Sequence, residues 1–158
     1  MVNTATLTKP TLRFGDSGAA VRELQSLLNN YSQYISSRAI APGAIDGKFG
    51  PITQLAVLTF QEQVFLPKTG VAADLTWRSL FKRAPVDLPN VEFGDTSDFV
   101  TILEQRLIRL RFLTGQADRR YEQQTLAAVS AFQRSVGLPQ RSTVDEAMWF
   151  ALSKIAIA

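Results

Sequence analysis

Apolar residues recur at helical spacing in three stretches of the first half of the chain. They predict helices over residues 18–30, over residues 51–64 and from about Asp74 onward. The apolar positions that define these helices are Val21, Leu24, Leu27, Leu28, Ile52, Ala56, Val57, Phe60, Val64, Trp77 and Leu80. Three short amphipathic helices of this kind can bury their apolar faces only against one another, which predicts a helical bundle.

The same pattern begins again in the second half of the chain. Phe14-Gly15-Asp16 is matched by Phe93-Gly94-Asp95 at an offset of 79 residues. Later matches share an offset of 72, and they pair Asp46, Phe49, Thr53, Phe60-Gln61 and Trp77 with Asp118, Tyr121, Thr125, Phe132-Gln133 and Trp149. The change of offset places seven additional residues between the first helix and the Asp-Gly turn of the first copy. Agreement at so many aromatic and turn positions indicates an internal repeat.

The sequence therefore predicts an all-α fold of two tandem three-helix-bundle units. Pro85 and Pro89 predict a short, semi-rigid linker between the units. The expected organisation is a flexible N-terminal tail at 1–11, a first unit at 12–83, the linker at 84–90 and a second unit at 91–154.

Composition restricts the chemistry that the chain can perform. Its 158 residues include no cysteine and no histidine. This excludes disulfides, zinc sites of the Cys/His kind, cysteine nucleophiles and Ser-His-Asp triads. Asp16 and Asp46 recur as Asp95 and Asp118, but a small bundle does not offer the deep cleft in which a glycosidase places two carboxyl groups. We therefore expect no enzyme activity, no metal site and no cofactor.

Charge and hydropathy limit the expected partners. The formal net charge is +3, from 17 basic and 14 acidic residues, and the basic residues are scattered, so nucleic acid is not an expected partner. The densest basic group could form a patch or could bury its aliphatic stems along a helix: Arg106, Arg109, Arg111, Arg119 and Arg120. No apolar run approaches the roughly 18 residues of a membrane span. Residues 1–11 lack the features of a secretory signal peptide, so localisation stays open: cell wall or periplasm if a leader was removed, and cytoplasm otherwise.

The strongest local signal for a binding site lies between Ala44 and Thr53. Gly47 and Gly50 permit positive φ or close backbone approach, and Pro51 suits the first position of a helix. Such a turn gathers polar groups at a helix N-terminus, where a carboxylate or a sugar hydroxyl can bind. The candidate ligand-binding residues are Asp46, Gly47, Lys48, Phe49, Gly50 and Thr53.

Several of these residues also have a plausible role within the fold. Asp46 could bind a ligand or cap its own turn. Phe49 could stack on a sugar or fill the core between helices, and Thr53 could line the site or bond to local backbone. Lys48 could meet a ligand carboxylate or remain solvated. The sequence alone leaves these alternatives open.

Taken together, the motifs resemble the peptidoglycan-binding-like domain family. The resemblance rests on Gly15-Asp16-Ser17-Gly18, Val21-Arg22-Glu23-Leu24-Gln25, Asp46-Gly47-Lys48-Phe49-Gly50, Thr53, Ala56-Val57, Phe60-Gln61 and Thr76-Trp77. That family consists of small three-helix modules, usually found beside cell-wall hydrolases and amidases. The second unit resembles a divergent member, because Arg119 and Glu122 replace the glycines of its turn.

The resemblance implies non-catalytic binding of bacterial peptidoglycan, through its glycan or stem peptide, at the Asp-Gly turn of the first unit. Because the second turn lacks both glycines, we expect it to lose backbone freedom. The second unit would then bind the wall weakly or contact a protein partner. The alternative is a cytoplasmic protein-interaction or scaffold protein that reuses the same fold.

Overall fold

The computed structural model describes residues 8–157, and this part of the chain is helical with four isolated β-bridges. The chain forms two compact units that divide between Val86 and Asp87. The predicted all-α fold of two tandem helical units is confirmed.

The first unit contains three α-helices and a short 3₁₀ helix. The helices are α1 (Ala19–Tyr34), α2 (Pro51–Gln63) and α3 (Asp74–Lys82), and the 3₁₀ helix covers Arg38–Ile40. Helix α1 contacts α2, α3 and the 3₁₀ helix. The fully buried side chains at the centre of the unit include Val21, Leu24, Leu28, Tyr31, Ile40, Val57, Phe60 and Trp77.

The second unit contains α4 (Asp98–Arg109), α5 (Gln123–Ser135) and α6 (Glu146–Ser153). Its core repeats the apolar positions of the first unit: Val100, Leu103, Leu107, Tyr121, Val129, Phe132, Trp149 and Leu152. Arg106 is 5% exposed and its Nη1 donates to the Leu152 carbonyl oxygen at 3.3 Å. This arginine therefore joins α4 to α6 inside the unit and does not contribute to a surface basic patch.

The first helix is longer than its sequence pattern predicts. It continues to Tyr34 because Tyr31 is buried, and the Tyr31 ring meets the Phe60 ring edge-on at a centroid distance of 4.8 Å. The seven additional residues of the first copy divide between four further helical residues in α1 and three in the connection to α2. Ile52, predicted to lie inside, is 63% exposed.

Two residues of the predicted N-terminal tail, Lys9 and Pro10, make hydrogen bonds to the first unit. Residues 1–7 lie outside the described part of the chain, but Lys9 and Pro10 contact the first unit. Lys9 Nζ lies 2.8 Å from the Glu23 carboxylate, and the Pro10 carbonyl oxygen accepts a bond of 2.9 Å from Trp77 Nε1. A buried indole N–H requires an acceptor, and this segment supplies it.

Candidate functional site

The Asp-Gly turn of the first unit is fastened to the loop that precedes α1. The Gly15 N–H donates to the Phe49 carbonyl oxygen at 2.9 Å, and the Phe49 N–H donates to the Asp16 carbonyl oxygen at 2.8 Å. These bonds join residues 13–18 to residues 46–50, here called the paired loops. Backbone pairing of this kind gives the turn a fixed position beside the N-terminus of α2.

Gln25, buried on α1, anchors the same turn from inside the unit. Its Nε2 lies 3.1 Å from each of three acceptors, Asp46 Oδ1, the Lys48 carbonyl oxygen and Thr53 Oγ1. Its Oε1 accepts from the Gly47 N–H at 2.9 Å. Because both ends of one buried amide are used, the turn and the start of α2 are held against α1.

Gln61 has the same role one helix later. Its Nε2 lies 3.1 Å from Thr69 Oγ1, the Val71 carbonyl oxygen and Thr76 Oγ1. Its Oε1 accepts from the N–H groups of Thr69 and Gly70, both at 3.0 Å. In the first unit, a glutamine on the preceding helix therefore fixes the turn before α2 and the turn before α3.

Three of the six candidate residues lie inside the unit. Phe49 and Thr53 are each 2% exposed. The Phe49 ring therefore belongs to the core and cannot stack on a sugar, and the Thr53 hydroxyl contacts Gln25. Gly47 is buried because the Arg22 side chain lies over it: a Cβ at this position would meet Arg22 Nε at 3.0 Å. These three residues are buried parts of the turn.

The other three candidates reach the surface. Asp46 and Lys48 are exposed, and Gly50 is partly exposed. The Lys48 backbone N–H and the Gln25 side-chain amide both donate to the Asp46 carboxylate. These bonds, above all the one from Lys48, hold the pKa of Asp46 below the ordinary value of 3.8. Asp46 therefore caps its own turn and still offers a charged, exposed carboxylate.

The structure adds an exposed aromatic residue that the sequence did not single out as a site residue. Phe14, in the paired loops, is 55% exposed, and its counterpart Phe93 is 50% exposed. An apolar ring in a polar loop, repeated in both copies, is a sequence signal that could have identified it. The exposed aromatic residue of the paired loops is therefore Phe14, whereas the sequence had suggested Phe49.

The second unit keeps the internal anchor of its turn but changes its chemistry. Glu104, 2% exposed, stands where the first unit has Gln25. Its Oε2 accepts from the N–H groups of Asp118 and Arg119 at 3.0 and 3.1 Å, and Thr125 Oγ1 donates to its Oε1 at 2.7 Å. A carboxylate accepts but does not donate, so the threonine hydroxyl now supplies the proton.

The second unit keeps the conformation of the turn although it lacks both glycines. Arg119 adopts φ 69°, close to the 74° of Gly47. Glu122 has φ −114° and Gly50 has φ −99°, both ordinary values for any residue. The second unit therefore keeps the same turn and accepts left-handed strain at Arg119, which costs about 1 kcal/mol.

A compensating change accompanies Arg119. Thr101 occupies the position that Arg22 has in the first unit, and this smaller residue leaves room for the long side chain at the turn. Arg119 Nη2 lies 3.5 Å from Asp98 Oδ1. The guanidinium group beside the turn thus comes from α1 in the first unit and from the turn itself in the second.

Within residues 8–157, no group of three or more acidic side chains is placed to hold a metal ion. In the same part of the chain, no helix has the length and apolarity that crossing a membrane requires.

Both copies of the repeat match a known protein family. Residues 17–80 and 96–152 each match the peptidoglycan binding domain family. The chain belongs to this family. The two matched regions lie on either side of the division at Val86, so each structural unit is one peptidoglycan-binding domain.

Two curated relatives share part of their length with this chain. YbfG, an uncharacterized protein of Bacillus subtilis (strain 168), is 31% identical over 113 residues, which are 67% of this chain and 15% of YbfG. The zinc D-Ala-D-Ala carboxypeptidase of Streptomyces albus G is 36% identical over 88 residues, which are 52% of this chain and 31% of that enzyme. The chain thus spans less than a third of the length of either relative.

Solved structures show similarity over comparable segments. The SleB N-terminal domain is 36% identical, with a TM-score of 0.41, over 48% of this chain and 94% of that domain. The Burkholderia AP3 phage endolysin is 32% identical, with a TM-score of 0.39, over 64% of this chain and 33% of the endolysin.

In the second peptidoglycan-binding domain, Tyr121 replaces Phe49 and adds a polar contact. The Tyr121 hydroxyl donates to the Ser142 carbonyl oxygen at 2.6 Å, and burial raises its pKa to about 12. The Phe93 ring meets the Tyr121 ring edge-on at a centroid distance of 6.0 Å. The core aromatic of this domain therefore supports the exposed one.

Proposed function

We propose that this chain is a non-catalytic peptidoglycan-binding protein whose first domain binds the glycan or stem peptide at the paired loops. The proposal rests on one observation: a domain that matches the peptidoglycan-binding family exposes Phe14, Asp46 and Lys48 on a hydrogen-bonded frame. An aromatic ring beside a carboxylate and an ammonium group suits a polymer built of sugars and short peptides.

The hydrogen bonds that the carboxylates of Asp16 and Asp46 accept from backbone N–H groups support binding without catalysis. Asp16 accepts from the Arg13 N–H at 2.9 Å, and Asp46 accepts from the Lys48 N–H at 2.9 Å. A glycosidase needs one carboxyl group that donates a proton and a second that attacks or activates water. Carboxylates that cap backbone turns are better suited to holding loops than to moving protons.

Sedimentation with purified, insoluble peptidoglycan tests the proposal. We expect the chain to enter the pellet, and Phe14→Ala and Lys48→Ala to weaken retention by about tenfold each, since an exposed anchor residue contributes on the order of 1–2 kcal/mol. The matched control is Phe93→Ala, the equivalent exposed ring in the second domain, which should change retention little.

Two results would contradict different parts of this proposal. If the parent chain stays in the supernatant, wall binding is wrong. If the parent chain is retained and the Phe14→Ala and Lys48→Ala variants match it, the wall is bound through another surface. Circular dichroism of each variant checks that the helices remain formed.

A second candidate function, protein interaction, is favoured by an apolar surface found in the first domain. Ile45, Ile52 and Leu55 are 45%, 63% and 61% exposed. Their counterparts in the second domain are smaller or polar, namely Ala117, Gln124 and Ala127. Ile52 and Leu55 are three residues apart on α2 and so lie on one face of this helix, and exposed apolar residues on one face are typical of a protein interface. Ile52→Gln, which copies the second domain, should abolish capture of a protein partner and leave wall retention unchanged if this candidate is correct.

A further inference from the structure

The two domains carry opposite charge on equivalent surfaces. We compare the first loop surface, residues 13–22 and 46–50, with the second loop surface, residues 92–101 and 118–122. The first loop surface has three cationic and two acidic residues, a net charge of +1. The second has two cationic and five acidic residues, a net charge of −3. One backbone arrangement therefore presents two different electrostatic environments.

The charged residues of the two surfaces are exposed, apart from the half-buried Asp16. In the first they are Arg13, Asp16, Arg22, Asp46 and Lys48. In the second they are Glu92, Asp95, Asp98, Asp118, Arg119, Arg120 and Glu122. Because the equivalent loops are paired in both domains, the charged residues of both segments belong to one surface of each domain, which carries Phe14 in the first domain and Phe93 in the second.

The cations of the first loop surface are available to a ligand. Arg22 lies over Gly47, next to Lys48, whose backbone forms a bridge with Ser17. Within the described residues, Arg13, Arg22 and Lys48 form no ion pair within 4.0 Å. Asp16 and Asp46 beside them accept backbone N–H groups, and both are counted in the net charge of +1. In the second loop surface, by contrast, Arg119 lies 3.5 Å from Asp98.

We propose that the first loop surface recognises an oxyanion of the cell-wall polymer, and that the second loop surface rejects the same group. This inference rests on the proposed function and names the chemistry of its ligand. Arg13, Arg22 and Lys48 attract the oxyanion, while the exposed face of Phe14 contacts the apolar atoms next to it. The five acidic residues of the second loop surface repel that group, which restricts binding to the first domain.

The oxyanion can be a stem-peptide carboxylate or a phosphate of a polymer attached to the wall. A neutral sugar would gain little from the positive charge of Arg13, Arg22 and Lys48. Attraction between exposed charges weakens as the salt concentration rises, because dissolved ions screen the charges. The screening length is about 10 Å at 0.1 M ionic strength. A ligand held by hydrogen bonds and stacking alone would show little such dependence.

The test compares binding of the full chain to three forms of purified wall: untreated, stripped of phosphate polymers with hydrofluoric acid, and amidated at its carboxyl groups with a carbodiimide. We expect binding to untreated wall to fall about tenfold or more between roughly 50 mM and 500 mM NaCl. Loss of binding after amidation identifies a carboxylate, and loss after hydrofluoric acid identifies a phosphate.

Charge reversals provide the matched variants. Arg22→Glu and Lys48→Glu should each weaken binding to untreated wall by about tenfold or more. Arg120→Glu alters the equivalent of Lys48 in the second domain and should leave binding within about twofold. Circular dichroism checks folding, and the wall treatments and salt series test the inference on the unaltered chain.

The failures of the two proposals are distinguishable. If the chain binds untreated wall, and both treated forms equally well, the oxyanion inference is overturned while peptidoglycan binding stands. If Arg120→Glu weakens binding as much as Lys48→Glu does, the assignment to the first domain is overturned. If the chain binds none of the three forms, both proposals are overturned.

Discussion

Gln25 and Thr53 form a buried side-chain hydrogen bond of 3.1 Å that joins α1 to the first turn of α2. The equivalent pair in the second domain, Glu104 and Thr125, lies at 2.7 Å with the opposite direction of donation. A helix-to-turn contact is therefore kept in both domains although the residue that supplies it has changed. This contact positions the exposed side chains of the paired loops.

Removing Gln25 should destabilise the first domain. In Gln25→Ala, the Gly47 N–H loses its buried acceptor and Thr53 Oγ1 loses its donor, which should lower the free energy of unfolding by about 2–3 kcal/mol. The control is Gln33→Ala, an exposed glutamine on the same helix, which should change stability by less than about 0.5 kcal/mol. Urea unfolding followed by circular dichroism measures both values, and equal stability of the two variants would contradict the anchoring role.

Gly47 and Gly50 should respond differently to alanine, although both belong to the same turn. Gly47 has φ 74°, and a Cβ would meet Arg22 Nε at 3.0 Å and the Gly18 carbonyl oxygen at 3.2 Å. Gly47→Ala should therefore cost about 1–3 kcal/mol. Gly50 has φ −99°, and a Cβ added to it would meet no atom within 4 Å, so Gly50→Ala should be nearly neutral. Thermal unfolding of the two variants checks the difference, and similar melting temperatures would argue against it.

Asp46 should make the first domain sensitive to acid. Backbone and side-chain donors lower its pKa in the folded state, so its contribution to stability is present above the unfolded value of 3.8. That contribution is lost as pH falls below 3.8 through the lowered folded pKa. Asp46→Asn keeps an acceptor but removes the titration, so the melting temperature of this variant should fall less steeply between about pH 4 and 2 than that of the parent. Parallel curves for the two proteins would contradict the prediction.

Tyr121 should make the second domain sensitive to alkali. Its pKa rises from 10.0 in the unfolded chain to about 12 in the folded domain, because burial disfavours the phenolate. The contribution of Tyr121 to stability is therefore fully present below pH 10.0 and is lost as pH rises through about 12. Tyr121→Phe copies the first domain and should lose about 1 kcal/mol at neutral pH with the Ser142 hydrogen bond, yet show a weaker decline above pH 10.0. Unfolding measured across this pH range decides the matter, and an unchanged alkaline slope would count against it.

Ser79 is a site where a smaller side chain should stabilise the first domain. Its hydroxyl oxygen is buried and, among the described residues, has no hydrogen-bond partner. The equivalent position in the second domain is Ala151. Ser79→Ala should raise the free energy of unfolding by about 0.5–1 kcal/mol, because an unsatisfied buried hydroxyl is removed. A loss of stability in denaturant unfolding would show that the hydroxyl is satisfied in solution.

The sequence by itself determined the order of the helices, the repeat and the turn. Helices are recognised from the spacing of nearby residues, such as Leu24 and Leu28, and from residues that favour a helix start, such as Pro51. Both signals can be read directly from the sequence. The Asp-Gly turn was also visible, because glycine marks the residue that adopts φ 74°. Arg119 shows the limit of this reasoning, since it adopts φ 69° without being a glycine.

Only the tertiary structure decided which residues of the turn face inward. Phe14 and Phe49 are both aromatic residues in loops, yet one is 55% exposed and the other 2%. Their burial depends on backbone bonds between residues more than thirty positions apart and on the anchor that Gln25 provides from another helix. Contacts between residues so far apart in the chain do not produce a periodic sequence pattern, so the sequence does not predict them. The fold could therefore be predicted from the sequence, whereas the exposed face of the site required the packing of the domain.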